Sequence, residues 1–376
     1  MSKLDVPPFR ADHVGSLLRP PALLAARAAT AAGEIDAATL REVEDDAIRD
    51  VIALQSQAGL QTVTDGELRR TSWHMDFIYA LDGVTSTDEK LQVHFRNAEG
   101  DLDFESPALS VRERISLGDT IFGDAFRFLR QEAAMSAPGL TPKLTIPSPN
   151  MVHYRGGRAS IDEAVYPDLE PFWADLTGAY AEEVWRLAGL GCTYLQLDDT
   201  SLAYLNDPQQ RELVAAQGGD PEHQHEQYIR NVNAAVAGRP DTMRVTTHLC
   251  RGNFRSSWAA EGGYDFVAEA LFSELEVDGF FLEYDDERSG GFEPLRFVPE
   301  GKLVVLGLVT TKSGRLEDKE TLKRRIDEAA RYVPLEQLCL SPQCGFSSTV
   351  EGNVLTLEEE RAKLRLVVET AAEVWG

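Results

Sequence analysis

Short apolar runs alternate with longer amphipathic segments along most of the chain. The runs are rich in Val, Ile, Leu and aromatic residues and contain few polar positions. Continuous apolar runs of this kind are typical of strands that are buried on both faces of a parallel sheet. They predict strands at residues 11–16, 59–65, 142–147, 192–198, 243–248, 279–284, 303–309 and 336–341.

The segments between these strands repeat apolar residues at helical spacing. Start and stop signals support several of them: Asp36 is a candidate N-cap, and Thr356 precedes acidic residues in a first turn. Pro334 ends a segment in which acids and bases stand three and four residues apart. Helices are therefore predicted at residues 36–58, 168–190, 317–333 and 356–375.

The alternation of strands and helices predicts an α/β fold, a (β/α)₈ barrel formed by residues 1–376 as one domain. A doubly wound sheet is the competing interpretation, but no glycine-rich phosphate loop follows the first strand. Residues 78–138 do not fit a simple strand–helix unit. There LQVHFRN and LDFES alternate apolar and polar residues around Asn-Ala-Glu-Gly, which predicts an antiparallel hairpin inserted after the second strand.

Charge and composition narrow the class of protein. The chain has 37 Lys and Arg against 62 Asp and Glu, a net charge of −25, which argues against a nucleic-acid or anionic-membrane partner. No apolar stretch of about 18 residues predicts a membrane span. The N-terminus lacks an apolar signal region, and four cysteines do not make a disulfide scaffold. We therefore expect a cytoplasmic protein with reduced thiols.

Several side chains with metal-binding chemistry follow the ends of predicted strands. His248 and Cys250 are two residues apart on one strand, and Cys344 follows the last strand. One imidazole and two thiolates suit Zn²⁺, and a carboxylate completes a tetrahedral set. Glu283 is the preferred fourth ligand because it ends its strand, whereas Asp285 lies further into the loop.

The alternative is that these cysteines are small buried hydrophobic residues and that His248 is hydrogen-bonded in the core. That interpretation is favoured for Cys192 and Cys339, which lie inside apolar strand patterns. A purely structural zinc is a further alternative, but structural sites usually draw ligands from short CxxC-type pairs. Zinc with thiolate ligands can hold an added thiol as a thiolate at neutral pH, so the substrate's sulfur would be the nucleophile.

A second group of strand-end residues has the chemistry to hold an amino acid. Glu67 and Asp198 follow neighbouring strands and could pair with an ammonium group, while the backbone N–H groups of Gly15 and Ser16 could take a carboxylate. The alternative is that Glu67 pairs with Arg69 or Arg70 at the surface, and that Asp198 and Asp199 cap the next helix. Trp73 and Trp258 are candidates for the pocket lining.

The chain resembles the catalytic C-terminal domain of cobalamin-independent methionine synthase, in its short single-domain members. The resemblance is carried, in the family's order, by HVGSLLRP, TDGELRR, YLQLDD, THLCRGN, FLEYDDERSG, LGLVTTK and SPQCGF. It implies a (β/α)₈ barrel, catalytic zinc and methyl transfer to the sulfur of homocysteine. It also implies His248, Cys250, Glu283 and Cys344 as zinc ligands, and Val14, Gly15, Ser16, Glu67 and Asp198 as homocysteine contacts.

The sequence departs from the family on the side of the methyl donor. The folate-stacking Trp after the third strand is absent from PSPNMVHY, and the catalytic His after the seventh strand is replaced in the run Thr310-Thr311-Lys312. An insertion, GNFRSSWAAEGGYDF, separates the His-x-Cys pair from Glu283. Lys312 is accordingly a candidate catalytic residue that places a charge near the transferring group.

These observations predict a zinc-dependent methyltransferase that makes methionine from homocysteine. The expected donor is a methylfolate, or a methylcorrinoid carried by a corrinoid protein that reaches the barrel mouth. Three alternatives stay open at this point: an alkyltransferase of the epoxide:coenzyme M type, a metal-free enzyme like uroporphyrinogen decarboxylase, and a non-enzymatic binding protein.

Overall fold

The computed structural model describes residues 4–97 and 100–376. Its strands, in chain order, are β1 (Thr62–Val63), β2 (Asp82–Asn97), β3 (Gly100–Ser116), β4 (Thr141–Pro142), β5 (Leu144–Pro147), β6 (Tyr194–Asp199), β7 (Arg244–Leu249), β8 (Gly279–Glu283), β9 (Leu303–Val309) and β10 (Leu338–Pro342). Helices cross between most consecutive strands, as parallel pairing requires.

Six of the strands form one parallel sheet in the order β10-β9-β8-β7-β6-β5. β4 lies one residue before β5 in the chain and pairs in parallel with β1. The apolar runs of the sequence thus correspond to buried parallel strands, and the fold is α/β. The prediction for residues 59–65 was too long, because only Thr62–Val63 are paired as a strand.

The prediction of a strand over residues 11–16 was wrong in extent. Only Ala11 makes a bridge, in parallel with Leu340. Beyond it the chain turns away at Gly15, whose φ of +145° interrupts regular pairing. Single hydrogen bonds replace the ladder: Thr64 Oγ1 donates to the Gly15 carbonyl at 2.6 Å, and the Leu17 N–H donates to the Gly66 carbonyl at 3.0 Å. The segment therefore joins both the last strand and the β1 region without being a strand itself.

Helices surround the sheet, and those predicted to start at Asp36 and Thr356 begin directly after these N-caps, whereas the helix predicted to run to residue 333 ends at Ala329. They are α1 (Pro21–Ala31), α2 (Ala37–Ala58), α3 (Met75–Ile78), α4 (Gly123–Ser136), α5 (Met151–Tyr154), α6 (Leu169–Gly189), α7 (Ser201–Tyr204), α8 (Pro208–Ala216), α9 (Gln224–Val236), α10 (Ala268–Glu274), α11 (Lys319–Ala329) and α12 (Leu357–Trp375). Short 3₁₀ turns occur at Gly157–Ser160, Glu287–Ser289, Glu293–Phe297 and Leu335–Gln337. Asp36 accepts a hydrogen bond from the Thr39 N–H at 2.8 Å, which confirms it as the N-cap of α2.

The core lies between the sheet and these helices. Strand residues such as Leu195, Val245 and Leu306 have no exposed surface, and each such side chain contributes about 1.5–3 kcal/mol through burial. Cys192 lies in this core, and Cys339 lies in a separate buried cluster with Val14, Phe281 and Val305, so both are buried as their apolar surroundings in the sequence predict. No helix within residues 4–97 and 100–376 is long and apolar enough to span a membrane.

The inserted segment places two long strands over one end of the sheet. β2 and β3 pair antiparallel, with Phe95 opposite Leu102. Ala98 and Glu99 of the predicted Asn-Ala-Glu-Gly turn lie outside the described residues. Arg96 forms an antiparallel bridge with Trp258, which belongs to the loop that follows β7. Two segments that are far apart in the sequence are thereby joined above the carboxyl ends of the strands.

Candidate metal centre and substrate cavity

Four side chains from the ends of three strands of the sheet meet at one point. His248 lies near the end of β7 and Cys250 directly follows that strand. Glu283 is the last residue of β8, and Cys344 follows β10 by two residues. One potential ligand atom from each of these residues lies within 4.8 Å of all the others. The sequence-predicted ligand set is therefore brought together in space.

The group is shielded from water. Glu283 and His248 are 1% and 2% exposed, and Cys344 is 3% exposed. The two sulfur atoms lie 3.4 Å apart, and the Gly252 N–H donates to the Cys250 Sγ at 3.3 Å. The Arg251 N–H donates to Glu283 Oε1 at 3.3 Å. Backbone groups of the loop after β7 thus orient two of the four side chains.

The pKa values of the two thiols are shifted in opposite directions. The hydrogen bond from Cys250 holds the pKa of Cys344 well below its usual range, with His248 and Lys312 acting in the same direction. The same hydrogen bond raises the pKa of Cys250, and burial raises it further. These shifts favour a thiolate at Cys344 beside a neutral thiol at Cys250, and a bound cation would compensate the buried negative charge.

The residues fit a divalent metal ion. Both ring nitrogens of His248 are buried, and neither has a hydrogen-bond partner among the described residues. An imidazole without partners inside a protein costs free energy unless a ligand satisfies it. The donor set is one nitrogen, two sulfurs and one carboxylate oxygen, which suits Zn²⁺ better than the oxygen-seeking Mg²⁺ or Ca²⁺.

Two buried carboxylates stand beside this group. The register of the sheet sets Asp198 opposite His248, and burial raises the pKa of Asp198 to about 7. Burial also raises the pKa of Glu67, although Arg70, at 3.6 Å, opposes the effect. Thr145 Oγ1 donates to Glu67 Oε1 at 2.7 Å, whereas Oε2 is buried without a partner in the described part of the chain. Both carboxylates would gain from a cationic ligand.

The alternative in which Glu67 pairs with an arginine at the surface is wrong, because the ion pair that Glu67 makes is buried. Glu67 is 3% exposed and its partner Arg70 is equally buried, while Arg69 binds Glu44 and Asp45 instead. The helix-capping alternative holds for the neighbouring Asp199, whose Oδ1 accepts from the Leu202 N–H at 2.9 Å. Asp198 accepts from Gln196 Nε2 at 2.6 Å and is left facing the cavity.

The segment Val14–Ser16 forms an adjoining wall. Gly15 permits a close approach to Thr145, because a Cβ at that position would lie 2.7 Å from Thr145 Cγ2. Gly345 likewise permits the close approach of Ser16, because a Cβ at position 345 would lie 1.9 Å from Ser16 Oγ. Glycines at these two contacts let the first segment pack directly against the loop that holds Cys344.

Lys312 lies next to the metal-ligand group. Its Nζ is buried and makes no hydrogen bond with the described residues. Burial lowers the pKa of Lys312, but Glu283 and Asp285 outweigh burial and raise it. The amine therefore remains a cation beside Glu283.

A cavity of about 750 Å³, a volume that includes its open mouth, is lined by several of these residues: Val14, Ser16, Glu67, Asp198, His248, Cys250 and Cys344. Trp73 lines the cavity as predicted, but Trp258 does not; it donates from Nε1 to Glu261 and stacks with Arg288. Sequence reasoning missed further lining residues: His74, Val93, Phe95, Arg155, Thr200, Tyr204, Asn253 and Phe254. Arg155 follows α5 and lies eight residues beyond the end of the third predicted strand, so its position in the sequence did not mark it as a strand-end residue.

Comparison with known proteins gives a family match over residues 156–373, to the catalytic domain of cobalamin-independent synthase. An uncharacterized protein of Bacillus subtilis (strain 168), YxjH, is 49% identical over 98% of this chain and 95% of its own length. The 5-methyltetrahydropteroyltriglutamate–homocysteine methyltransferase of Mycolicibacterium paratuberculosis is 26% identical over 99% of this chain, which covers 44% of that protein.

Solved structures give a matching result. A provisionally named vitamin-B12-independent methionine synthase from Listeria monocytogenes is 37% identical, with a TM-score of 0.78 and 99% of both chains covered. A B12-independent methionine synthase from Shewanella sp. W3-18-1, solved with selenomethionine, is 20% identical, with a TM-score of 0.72 and 97% of both chains covered. The second similarity concerns the fold alone.

Proposed function

Because the chain belongs to the family of cobalamin-independent methionine synthase catalytic domains, we propose that it is a zinc-dependent methyltransferase that converts homocysteine to methionine. The observation that carries this proposal is the meeting of His248, Cys250, Glu283 and Cys344 within 4.8 Å. When bound there, zinc would lower the pKa of an added thiol and keep it as a thiolate at neutral pH.

We propose that the eight predicted strand segments close as a (β/α)₈ barrel around this site. The bridge from Ala11 to Leu340 and the hydrogen bond from Thr64 to Gly15 support closure, since they link the first segment to both of its neighbours. In such a barrel the active site lies at the carboxyl ends of the strands, where the cavity is found.

The amino-acid part of homocysteine would be held by the walls beside the metal-ligand group. Glu67 and Asp198 would accept hydrogen bonds from the ammonium group. The ammonium would thereby supply the donor that Glu67 Oε2 lacks among the described residues. The backbone of Val14–Ser16 would take the carboxylate. The substrate sulfur is then directed toward His248 and the two cysteines.

Methyl transfer would be an in-line displacement within this cavity. As the sulfur–methyl bond forms, the bond between the methyl carbon and the donor atom breaks, and the donor keeps that electron pair. The thiol proton would be released to solvent before attack; a methylfolate would take up one proton at the nitrogen that loses the methyl group, whereas a methylcorrinoid would keep the electron pair on cobalt. Lys312 would hold a positive charge beside Glu283 and the reacting centre, and the buried walls would keep competing water away. The donor is a methylfolate or a methylcorrinoid.

The test is methionine formation by the zinc-loaded protein from homocysteine, with 5-methyltetrahydrofolate and methylcobalamin compared side by side. Coenzyme M replaces homocysteine in a parallel reaction. We expect methionine with at least one donor, and little product with Cys344→Ser. A protein that holds one zinc per chain and makes no methionine with either donor would refute the proposal. Alkylation of coenzyme M instead would favour the epoxide:coenzyme M alternative.

A further inference from the structure

The cavity wall includes an arginine, whose positive charge is opposite in sign to the charges of the carboxylates Glu67 and Asp198. Arg155 directly follows α5 and is the only Lys or Arg among the described residues that line the cavity. Its guanidinium lies over the rings of Tyr154 and Tyr204, at 5.7 and 5.3 Å from their centroids. These two rings fix the direction of the side chain without neutralising its charge.

Arg155 makes no ion pair with any Asp or Glu in residues 4–97 and 100–376. Arg69 and Arg244 bind carboxylates, whereas Arg155 and several arginines outside the cavity, such as Arg112 and Arg211, have no ion pair among the described residues. A planar guanidinium with unpaired N–H groups is well suited to bind a carboxylate or another oxyanion.

The neighbours of Arg155 in the cavity add to this preference. The hydroxyl of Tyr204 is buried, and within the described structure it has no hydrogen-bond partner. His74 is neutral at pH 7, because burial and Arg155 lower its pKa to about 3. His74 Nδ1 lies 3.0 Å from Ser72 Oγ. This part of the wall therefore offers one positive charge beside one buried hydroxyl, and the charge makes no ion pair with a carboxylate of the described residues.

The inserted hairpin limits what can enter. Val93 and Phe95 of β2 line the cavity, and the ring of Phe95 lies 5.4 Å from that of Phe254. The Arg96 N–H donates to the Trp258 carbonyl at 2.7 Å, and the Trp258 N–H donates back at 2.9 Å. Two backbone hydrogen bonds thus fasten the hairpin to the loop after β7. Such a cover favours a free small molecule over a group carried on a large protein surface.

We infer that Arg155 binds the anionic group of a small, free methyl donor, such as a donor with a carboxylate. This inference rests on the proposed function, in which Glu67, Asp198 and Val14–Ser16 already engage both charged ends of homocysteine. Arg155 is then the remaining charged contact of the cavity, and it determines specificity for the second substrate.

Calorimetric titration of the zinc-loaded protein tests this inference. The protein is first saturated with homocysteine and then titrated with 3-(methylthio)propanoate or with 3-(methylthio)propanamide, which have similar shapes and differ in charge. We expect the carboxylate to bind about tenfold or more tightly than the amide, since charge-assisted hydrogen bonds are the stronger kind. Arg155→Gln should abolish that preference, and Arg155→Lys should retain part of it.

The control is Arg112→Gln, which removes an exposed arginine on the outside of the hairpin and should leave the preference unchanged. Equal binding of the two probes to the unaltered protein, or a preference that survives in Arg155→Gln, would overturn the inference. Weaker homocysteine binding in Arg155→Gln, with the probe preference intact, would overturn it too. If homocysteine itself does not bind, the proposed function fails first, and the inference fails with it.

Discussion

Replacing Glu67 by Gln should weaken homocysteine binding without removing the zinc. The amide keeps the oxygen that accepts from Thr145 Oγ1 at 2.7 Å, although Arg70 loses its buried ion-pair partner. It removes the negative charge that we propose to face the ammonium group. Glu67 is 3% exposed, so bulk water cannot compensate for the lost charge.

The size of the effect follows from the contact that is lost. A hydrogen bond to a charged group contributes about 1.5–3 kcal/mol net. Since about 1.4 kcal/mol corresponds to a factor of ten, the Kd for homocysteine should rise about 10- to 100-fold. Zinc content should stay at the level of the unaltered protein, because Glu67 is not one of the four proposed ligands.

Calorimetric titration with homocysteine measures this change, and metal analysis of the same preparations measures the zinc. Glu360→Gln is the matched control, since Glu360 is also a fully buried carboxylate but does not line the cavity. Its homocysteine affinity should equal that of the unaltered protein. An unchanged Kd in Glu67→Gln would refute the assignment of Glu67 as the ammonium contact.

Three further predictions concern the metal site, a buried acid and a glycine. Cys344→Ser should lose most of its zinc by metal analysis, whereas Cys339→Ser, in the core, should keep it. Glu360→Gln should gain stability relative to the unaltered protein as the pH rises. The folded Glu360 keeps its proton up to a pKa of about 8, against an ordinary 4.5, so the folded state binds more protons between these values. The stability of the unaltered protein therefore falls as the pH rises through this range. In chemical denaturation, the free energy of unfolding of the variant relative to the unaltered protein should rise by at most about 3 kcal/mol from pH 4.5 to 7. The same pH dependence of unfolding in both proteins would contradict this prediction. Gly15→Ala should lower the melting temperature and weaken homocysteine binding, because φ is +145° and the added Cβ meets Thr145 at 2.7 Å; unchanged values for both would argue against a fitted wall.

The parallel strands and the metal-ligand group were accessible from the sequence for related physical reasons. Runs such as 303–309 are apolar throughout because both faces of the sheet are covered, and the structure places β9 at Leu303–Val309. Strands that run in parallel end at the same edge. His248, Cys250, Glu283 and Cys344 could therefore be grouped by their strand-end positions before any distance was known.

Other features depend on contacts that no local pattern encodes. Residues 11–16 read as a strand, but Gly15 and side-chain hydrogen bonds replace regular pairing there. The pairing of Arg96 with Trp258 joins two insertions, and neither insertion indicates its partner. Arg155 is the clearest omission, because its significance lies in the absence of a nearby carboxylate in the described chain, which only a structure can show.

X-ray absorption at the zinc edge, recorded before and after addition of homocysteine, tests the central claim most directly. The account predicts two sulfur neighbours from Cys250 and Cys344 in the resting protein and one additional sulfur once homocysteine is bound. A first shell without sulfur, or a sulfur count that homocysteine leaves unchanged, would contradict it.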